Sequence, residues 1–290
     1  LGERLLNKLL TSWKTFNELV MFQHSIFSLP FIFIAMIVSA DGWFGWYLLL
    51  MGALAAVTAR NFAMGLNRYA DRDIDVKNPR TANRPSVDGR LSAKAILVFT
   101  LVNALGFIAV AYFINGLAFY LSVPILLILG SYSYFKRFSA LAHIILGISL
   151  GLAPIAGVVA VEAAIPLWSI YLSAGVLFWV AGFDLLYSLQ DIGFDKDEGL
   201  HSIPSRFGAK NTFRIAQLFH LLTIIFWYLF VGEAGLGIAA YGAVIFSALM
   251  LGYEHYLVNK DFTKIDRAFF TVNGYLGIIF ISLIIIEKAL

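Results

Sequence analysis

The sequence predicts an all-α, polytopic membrane protein with nine transmembrane helices, two parallel four-helix units plus a ninth helix. Three observations carry this expectation. Of 290 residues, 60% are hydrophobic and 13% charged, where a soluble domain carries roughly a quarter charged residues. Apolar stretches of about twenty residues, the length that crosses a bilayer, recur from Phe27 onward. Lys and Arg gather in alternate connections.

Leu1 to Phe22 is amphipathic and has no small-residue cleavage signal, so it reads as a cytoplasmic lead-in rather than a signal peptide. Nine spanning segments follow, at about 22–40, 44–66, 95–113, 117–134, 139–160, 166–188, 212–231, 235–257 and 268–286. Pro30 and Pro154 are expected to kink the first and fifth. The connections Asp41–Gly42, Asn115–Gly116, Glu162–Pro166 and Gly232–Gly235 hold no Lys or Arg. The other four hold Lys77, Arg80, Arg84, Arg90 and Lys94; Lys136 and Arg137; Lys196, Arg206 and Lys210; and Lys260, Lys264 and Arg267. By the positive-inside rule this puts the N-terminus in the cytoplasm and the C-terminus outside. The chain is thus expected to be one domain, 1–290, with halves at about 22–134 and 139–257, multi-pass in the cell inner membrane. Its partners include the bilayer and no nucleic acid; oligomeric state is not legible. With no Cys, disulfides and thiolate chemistry are excluded.

A charged block stands where the second segment runs out. If the helix continues through it, Asn67, Asp71 and Asp75 recur every four residues and share a face, leaving Asp73 off it and the weaker ligand candidate. Like charges at this spacing repel, so positive groups are expected opposite. The pattern returns after the sixth segment as Asp184, Tyr187, Asp191 and Asp195. Both blocks emerge on the same predicted face, where two matched acidic corners can face one cavity. A solvated loop explains a single such block less well when there are two, because ionisable groups at the edge of a bundle mark a substrate or ion path. Asp197 and Glu198 read as loop solvation.

Carboxylates without Cys or His ligands suit Mg2+, which commonly binds protein together with phosphate. One metal at each corner would hold a diphosphate between them. Arg80, Arg84, Arg206, Lys136 and Arg137 supply further donors, Arg by bidentate bonding to phosphate oxygens. Lys136 and Arg137 read equally well as an ordinary positive-inside flank. Arg60 lies within an apolar segment, seven residues before Asn67 on the same face, and an intramembrane Arg needs a partner. It is expected to belong to the site.

With these residues in view, the chain resembles the UbiA superfamily of intramembrane prenyltransferases over essentially its whole length, especially the 4-hydroxybenzoate polyprenyltransferase branch. The first signature is carried by Asn67, Asp71 and Asp75, the second by Asp184, Tyr187, Asp191 and Asp195. Arg60, the Arg80–Pro85 run, Lys136 and Arg137 match as well. The resemblance implies nine helices and Mg2+-dependent transfer of a polyprenyl group from polyprenyl diphosphate to an aromatic acid acceptor on the cytoplasmic side. The catalytic set it implies is Asp71, Asp75, Asp184 and Asp191, with Asp195 a further metal ligand. Arg60, Asn67, Arg80, Arg84, Lys136, Arg137, Tyr187 and Arg206 would bind substrate. Two departures leave the acceptor open: Asn67–Arg68 replaces the branch's Asn-Asp, and Gly199–Gly208 replaces its Lys-Ser-Thr-Ala run. The latter also resembles prenylases of the futalosine route to menaquinone. The acceptor is therefore 4-hydroxybenzoate of ubiquinone-type biosynthesis or a naphthoate-type ring.

Such a reaction needs an apolar tunnel, a charged mouth and aromatic faces for the developing carbocation. Tyr134, Phe135, Tyr187 and Phe194 are expected near that mouth. His201 reads either as a substrate contact or as a loop-packing residue. The rival from another class is a cation-coupled transporter, compatible with intramembrane Asp and parallel repeats but lacking an acidic relay in the outer half.

Overall fold

The computed structural model describes residues 14–20, 29–261, 265 and 271–289, and among them there is no strand. A helical stretch over 14–20 precedes eleven α-helices. These are α1 (Leu29–Ser39), α2 (Trp46–Ala70), α3 (Arg72–Asp75), α4 (Ala93–Ile114), α5 (Gly116–Phe135), α6 (Ala142–Glu162), α7 (Leu167–Ser188), α8 (Ile192–Asp197), α9 (Ile203–Glu233), α10 (Ile238–Lys260) and α11 (Asn273–Ala289). A single 3-10 turn, Leu189–Asp191, joins α7 to α8.

Among the described residues seven helices are long and apolar enough to cross a membrane: α2, α4, α5, α6, α7 with its continuation to Asp197, α9 and α10. α1 and α11 lie in the first and ninth predicted segments and show 11 and 17 residues. Positions 22–28 and 268–270 of those two segments lie outside the described residues, as do Arg4, Lys8, Lys264 and Arg267.

Local chemistry sets the ends. Ser92 caps α4 by accepting from the Ala95 amide at 3.2 Å. Asn115, between α4 and α5, accepts from the Ala118 amide at 2.8 Å, so one residue reverses the chain between two spans. Ser202 and Ser205 form a capping box at the start of α9, satisfying two otherwise orphaned amides. α9 begins at Ile203 rather than near 212 because the Ser202 cap starts a helical turn ahead of the span, and Gly208 (φ 77, ψ 165) kinks the two pieces apart; glycine takes this conformation without a Cβ clash. The Asp71–Asp75 stretch is likewise not one continuous helix. α2 stops at Ala70, Asp71 leaves helical geometry (φ −92, ψ 4), and α3 adds a turn.

The helices pack as a chain of neighbours: α2 on α4, α4 on α5, α5 on α6, α6 on α7, α7 on α9, α9 on α10, α10 on α11, and α11 back on α1, which also packs on α6. α7 is the central strut, with 67% of its apolar window buried against 11% for α2. Small residues let backbones approach. A Cβ on Gly147 would meet the Leu177 carbonyl at 2.5 Å, and one on Gly157 the Ile32 carbonyl at 2.5 Å. Behind α7, Phe31, Trp179, Trp227, Phe230 and Phe280 form a fully buried aromatic core. Its rings meet at 5.0 to 5.2 Å in the Phe31–Trp179, Phe31–Trp227 and Trp227–Phe280 pairs. The face of α7 turned away from that core borders the site.

Candidate active site

The first acidic corner is built at the end of α2. Asp71 and Asp75 are buried, at 2% and 4% exposure, while the Asp73 side chain is 64% exposed. A cation from another element meets each buried carboxylate. Lys136, at the end of α5, places Nζ 2.6 Å from Asp71 Oδ2, and Asn67 Nδ2 donates to the same oxygen at 2.7 Å. Arg84 Nη1 donates to both Asp75 oxygens at 2.8 Å. Asp71 Oδ1 is buried and has no hydrogen-bond partner. Burial raises the Asp71 carboxyl above its ordinary range, and Lys136 opposes that shift. Arg137 instead grips the outward Asp73, donating from Nη1 to Oδ2 at 2.9 Å and from Nη2 to Oδ1 at 2.6 Å. That contact holds the Asp73 carboxyl below the usual range. Arg137 Nη2 also donates to the Ala70 carbonyl at 2.5 Å, capping the negative end of α2.

The second corner is carried by α7 and the turn after it. His143 Nδ1 lies 2.7 Å from Asp184 Oδ2. Arg80, from the loop after α3, lays its fork on Asp191, with Nε on Oδ1 at 3.0 Å and Nη2 on Oδ2 at 2.5 Å. Its Nη1 approaches the Tyr187 hydroxyl at 3.4 Å, and its guanidinium carbon lies 5.6 Å from the Tyr187 ring centre. Burial lowers the affinity of Arg80 for its proton, yet the hydrogen bond and charge of Asp191 outweigh this and raise its pKa. Asp195 lies on α8, one turn beyond Asp191. The loops after the two acidic motifs also touch directly, through Lys77 and Glu198 at 2.6 Å. The His201 amide donates to the Lys136 carbonyl at 2.8 Å.

Beneath this polar layer lies an apolar cavity of about 250 Å3. Asp184, Arg60 and Tyr132 line one end, and Ile114 and Ala118 the other. It follows α2 from Gly52 to Met64, about 18 Å at the helical rise per residue. Small side chains at helical spacing hollow it out: Gly52, Ala55, Ala56, Ala59 and Ala63 on α2, and Ala153, Ala156, Gly157 and Ala160 on α6. Arg60 contributes a cationic lining group and donates from Nη2 to the Val20 carbonyl at 3.3 Å.

The structure thus gathers Asn67, Asp71, Asp75, Arg84 and Lys136 at one corner, and Arg80, Tyr187 and Asp191 at the other. Arg206 is not brought into either set: it is exposed, with its guanidinium carbon 5.6 Å from the Phe207 ring centre. The rings that line the cavity are Phe107, Tyr132 and Phe183; of the four rings expected near its mouth, Tyr187 stands at the second corner against Arg80. Reading by spacing missed Arg68 and His143. Arg68 is 4% exposed and donates from Nη1 to Asn67 Oδ1 at 3.0 Å. His143, 6% exposed, is a polar residue in an apolar run, and an intramembrane titratable group is the signal that could have found it.

Among the described residues no three Asp, Glu or His side chains converge as a closed metal cage. The donor set nevertheless fits Mg2+. That ion is ordinarily held by one or two carboxylates and completes its shell with water and phosphate, and Asp71 presents a buried, unpartnered oxygen beside Asp75.

Apolar spans enclosing an apolar cavity, with aspartates and cations at one end of it, make this an integral membrane protein with a buried slot that opens on a charged layer. The model of the UbiA prenyltransferase family matches residues 28–284, and the chain belongs to that family. It is 28% identical over 247 residues to the 4-hydroxybenzoate octaprenyltransferase of Janthinobacterium sp. (strain Marseille), covering 84% of this chain and 85% of that one. Its structure is similar to the apo structure of a UbiA homolog from Aeropyrum pernix K1, with TM-score 0.83 and 32% identity over 92% of this chain and 98% of that one. The fold is shared with a UbiA homolog from Archaeoglobus fulgidus bound to DMAPP and Mg2+, at TM-score 0.77 and 20% identity over 95% and 99% of the two chains.

Proposed function

We propose that this prenyltransferase moves a polyprenyl group from polyprenyl diphosphate to an aromatic acid, 4-hydroxybenzoate foremost, in ubiquinone-type quinone biosynthesis. The observation that carries this reading is the cavity: an apolar slot with Asp184 in its own wall and Asp191 held by Arg80 about two turns further on. The protein is read as one domain of nine spans, with α1 and α11 as the first and last, and with its active site facing the cytoplasm of the inner membrane.

The isoprenoid tail lies in the slot, where it exchanges lipid contacts for protein contacts, and its diphosphate stands at the charged end. Asp71, Asp75, Asp184 and Asp191, joined by Asp195, would hold Mg2+, which when bound supplies positive charge to the diphosphate. Lys136, Arg84 and Arg80 donate hydrogen bonds to its oxygens, and these strengthen as the leaving group gains charge. Tyr132, Phe107 and Phe183 present aromatic faces to the allylic carbon as positive charge develops there. The acceptor ring then bonds to that carbon, the allylic C–O bond having broken, and the ring loses a proton to restore aromaticity. Arg60, the basic residue in the cavity wall, pairs with the acceptor's carboxylate. The joined loops, held by Lys77 on Glu198 and by the His201 amide on the Lys136 carbonyl, limit access of water that would capture the cation.

The test is purified protein in nanodiscs, given labelled polyprenyl diphosphate, Mg2+ and a panel of aromatic acids. Prenylated 4-hydroxybenzoate is the expected product. Preference for a naphthoate-type acceptor would move the protein to menaquinone biosynthesis, the alternative raised by the Gly199–Gly208 run. No prenylated product from any acceptor, with substrate-coupled cation flux in its place, would overturn the reading in favour of a transporter.

A further inference from the structure

The two corners differ in what their carboxylates already hold. At the first, Asp71 Oδ1 is buried and accepts nothing, so one ligand oxygen stands ready. At the second, both oxygens of Asp191 are taken by a single planar fork, Arg80 Nε and Nη2, with Asn78 Nδ2 adding to Oδ1 at 3.4 Å. The guanidinium is steadied from behind by the Tyr187 hydroxyl and ring. A divalent cation approaching Asp191 therefore meets a fixed positive charge and a carboxylate with a donor already on each oxygen, and like charges at this range repel strongly. Lys136 on Asp71 Oδ2 and Arg84 on Asp75 put positive charge at the first corner as well, but they leave Asp71 Oδ1 open to a metal, whereas both oxygens of Asp191 carry a donor.

We propose that Arg80 gates the second metal corner: its fork on Asp191 keeps a divalent cation out until a diphosphate draws the guanidinium away. The Asp71–Asp75 corner then loads first and the Asp184–Asp191 corner second. This rests on the prenyl-diphosphate reading above. Diphosphate is suited to the exchange, since its oxygens offer Arg80 the same bidentate geometry as a carboxylate with more negative charge. Release from Asp191 also frees the loop after α3, so substrate arrival and completion of the site become one event. Arg80 is a positioning residue while it holds Asp191 and becomes a substrate ligand only when the diphosphate is present.

The experiment counts Mn2+ bound to the full chain in nanodiscs by electron paramagnetic resonance, first with Mn2+ alone and then with inorganic diphosphate. The wild type should hold one tight Mn2+ alone and a second only with diphosphate. Arg80→Gln should take up the second ion without diphosphate, its affinity rising at least tenfold, while turnover falls. Arg80→Lys keeps a charge without the fork and should give a smaller rise, which reads the same quantity if the Gln variant does not fold. Two equally tight ions in the wild type without diphosphate, or an unchanged second-ion affinity in both variants, would overturn the gate. The failures are separable. A wrong reaction class shows as no prenylated product whatever the ion count, whereas a wrong gate shows as normal product with no effect of Arg80 on Mn2+ binding.

Discussion

Lys136→Ala separates the structural and the chemical duty of a residue that sequence alone reads two ways. Asp71 is 2% exposed, and Lys136 supplies the salt bridge to its Oδ2 at 2.6 Å. Without the ammonium, that carboxylate keeps the Asn67 amide and the more distant charge of Arg68. Removing one partner of a fully buried pair costs about 3–5 kcal/mol. The Lys136 side chain is 28% exposed, so water can replace part of its role, and a loss of about 2 kcal/mol is expected. Asp71→Asn removes the stranded charge, so the double variant should be more stable than the sum of the singles by about 1–2 kcal/mol. Activity should show no such recovery, because the diphosphate still lacks both its donor and its metal ligand. The assay is reversible unfolding in mixed micelles for the four proteins of the cycle, beside steady-state prenyl transfer. Additive stabilities, within about 0.5 kcal/mol, would refute the pairing, and wild-type turnover in a folded Lys136→Ala protein would return Lys136 to a topological anchor.

Other outcomes follow from the same geometry. Asp71→Asn and Asp191→Asn should each lower turnover by about 100-fold or more, as expected when charge stabilisation of a leaving group is lost, whereas Asp73→Asn, on the outer face with Arg137, should cost under about 10-fold at saturating substrate; equal losses at all three would contradict the inward and outward split. Ala59→Phe places a ring in the apolar slot and should reduce turnover of long polyprenyl diphosphates far more than that of a five-carbon allylic diphosphate; a chain-length profile unchanged from wild type would remove the slot as the tail site. Cysteine at the exposed Asn83 should react with a cytoplasm-restricted thiol reagent and at the exposed Ala164 with an external one, and the absence of native Cys keeps the signal clean. Reversed labelling would invert the proposed topology. Ser86 and Ser202 are unsuited to that assay, being 1% and 5% exposed.

By itself the sequence determined the helical class, the approximate ends of the apolar segments, the matched acidic motifs and the need for cations opposite them. These are local properties: a run of apolar residues must hide its backbone polar groups within a helix, and aspartates at regular spacing repel unless something neutralises them. Asp73 could be set apart from Asp71 and Asp75 by phase alone. Which cation meets which aspartate was not legible, because Lys136 reaches Asp71 from α5 and Arg80 reaches Asp191 across 111 residues, and no local pattern encodes such a pairing. The same holds for His143 on Asp184, for the exclusion of Arg206 from both corners, and for the choice of Phe107, Tyr132 and Phe183 as cavity rings among 26 Phe and 13 Tyr. Only the tertiary structure decided these, since they depend on how close α2, α5, α6 and α7 approach. That approach is set by small residues such as Gly130 of α5 against Leu66 of α2 and Gly147 of α6 against Leu177 of α7, whose spacing resembles ordinary membrane-helix composition until the helices are packed.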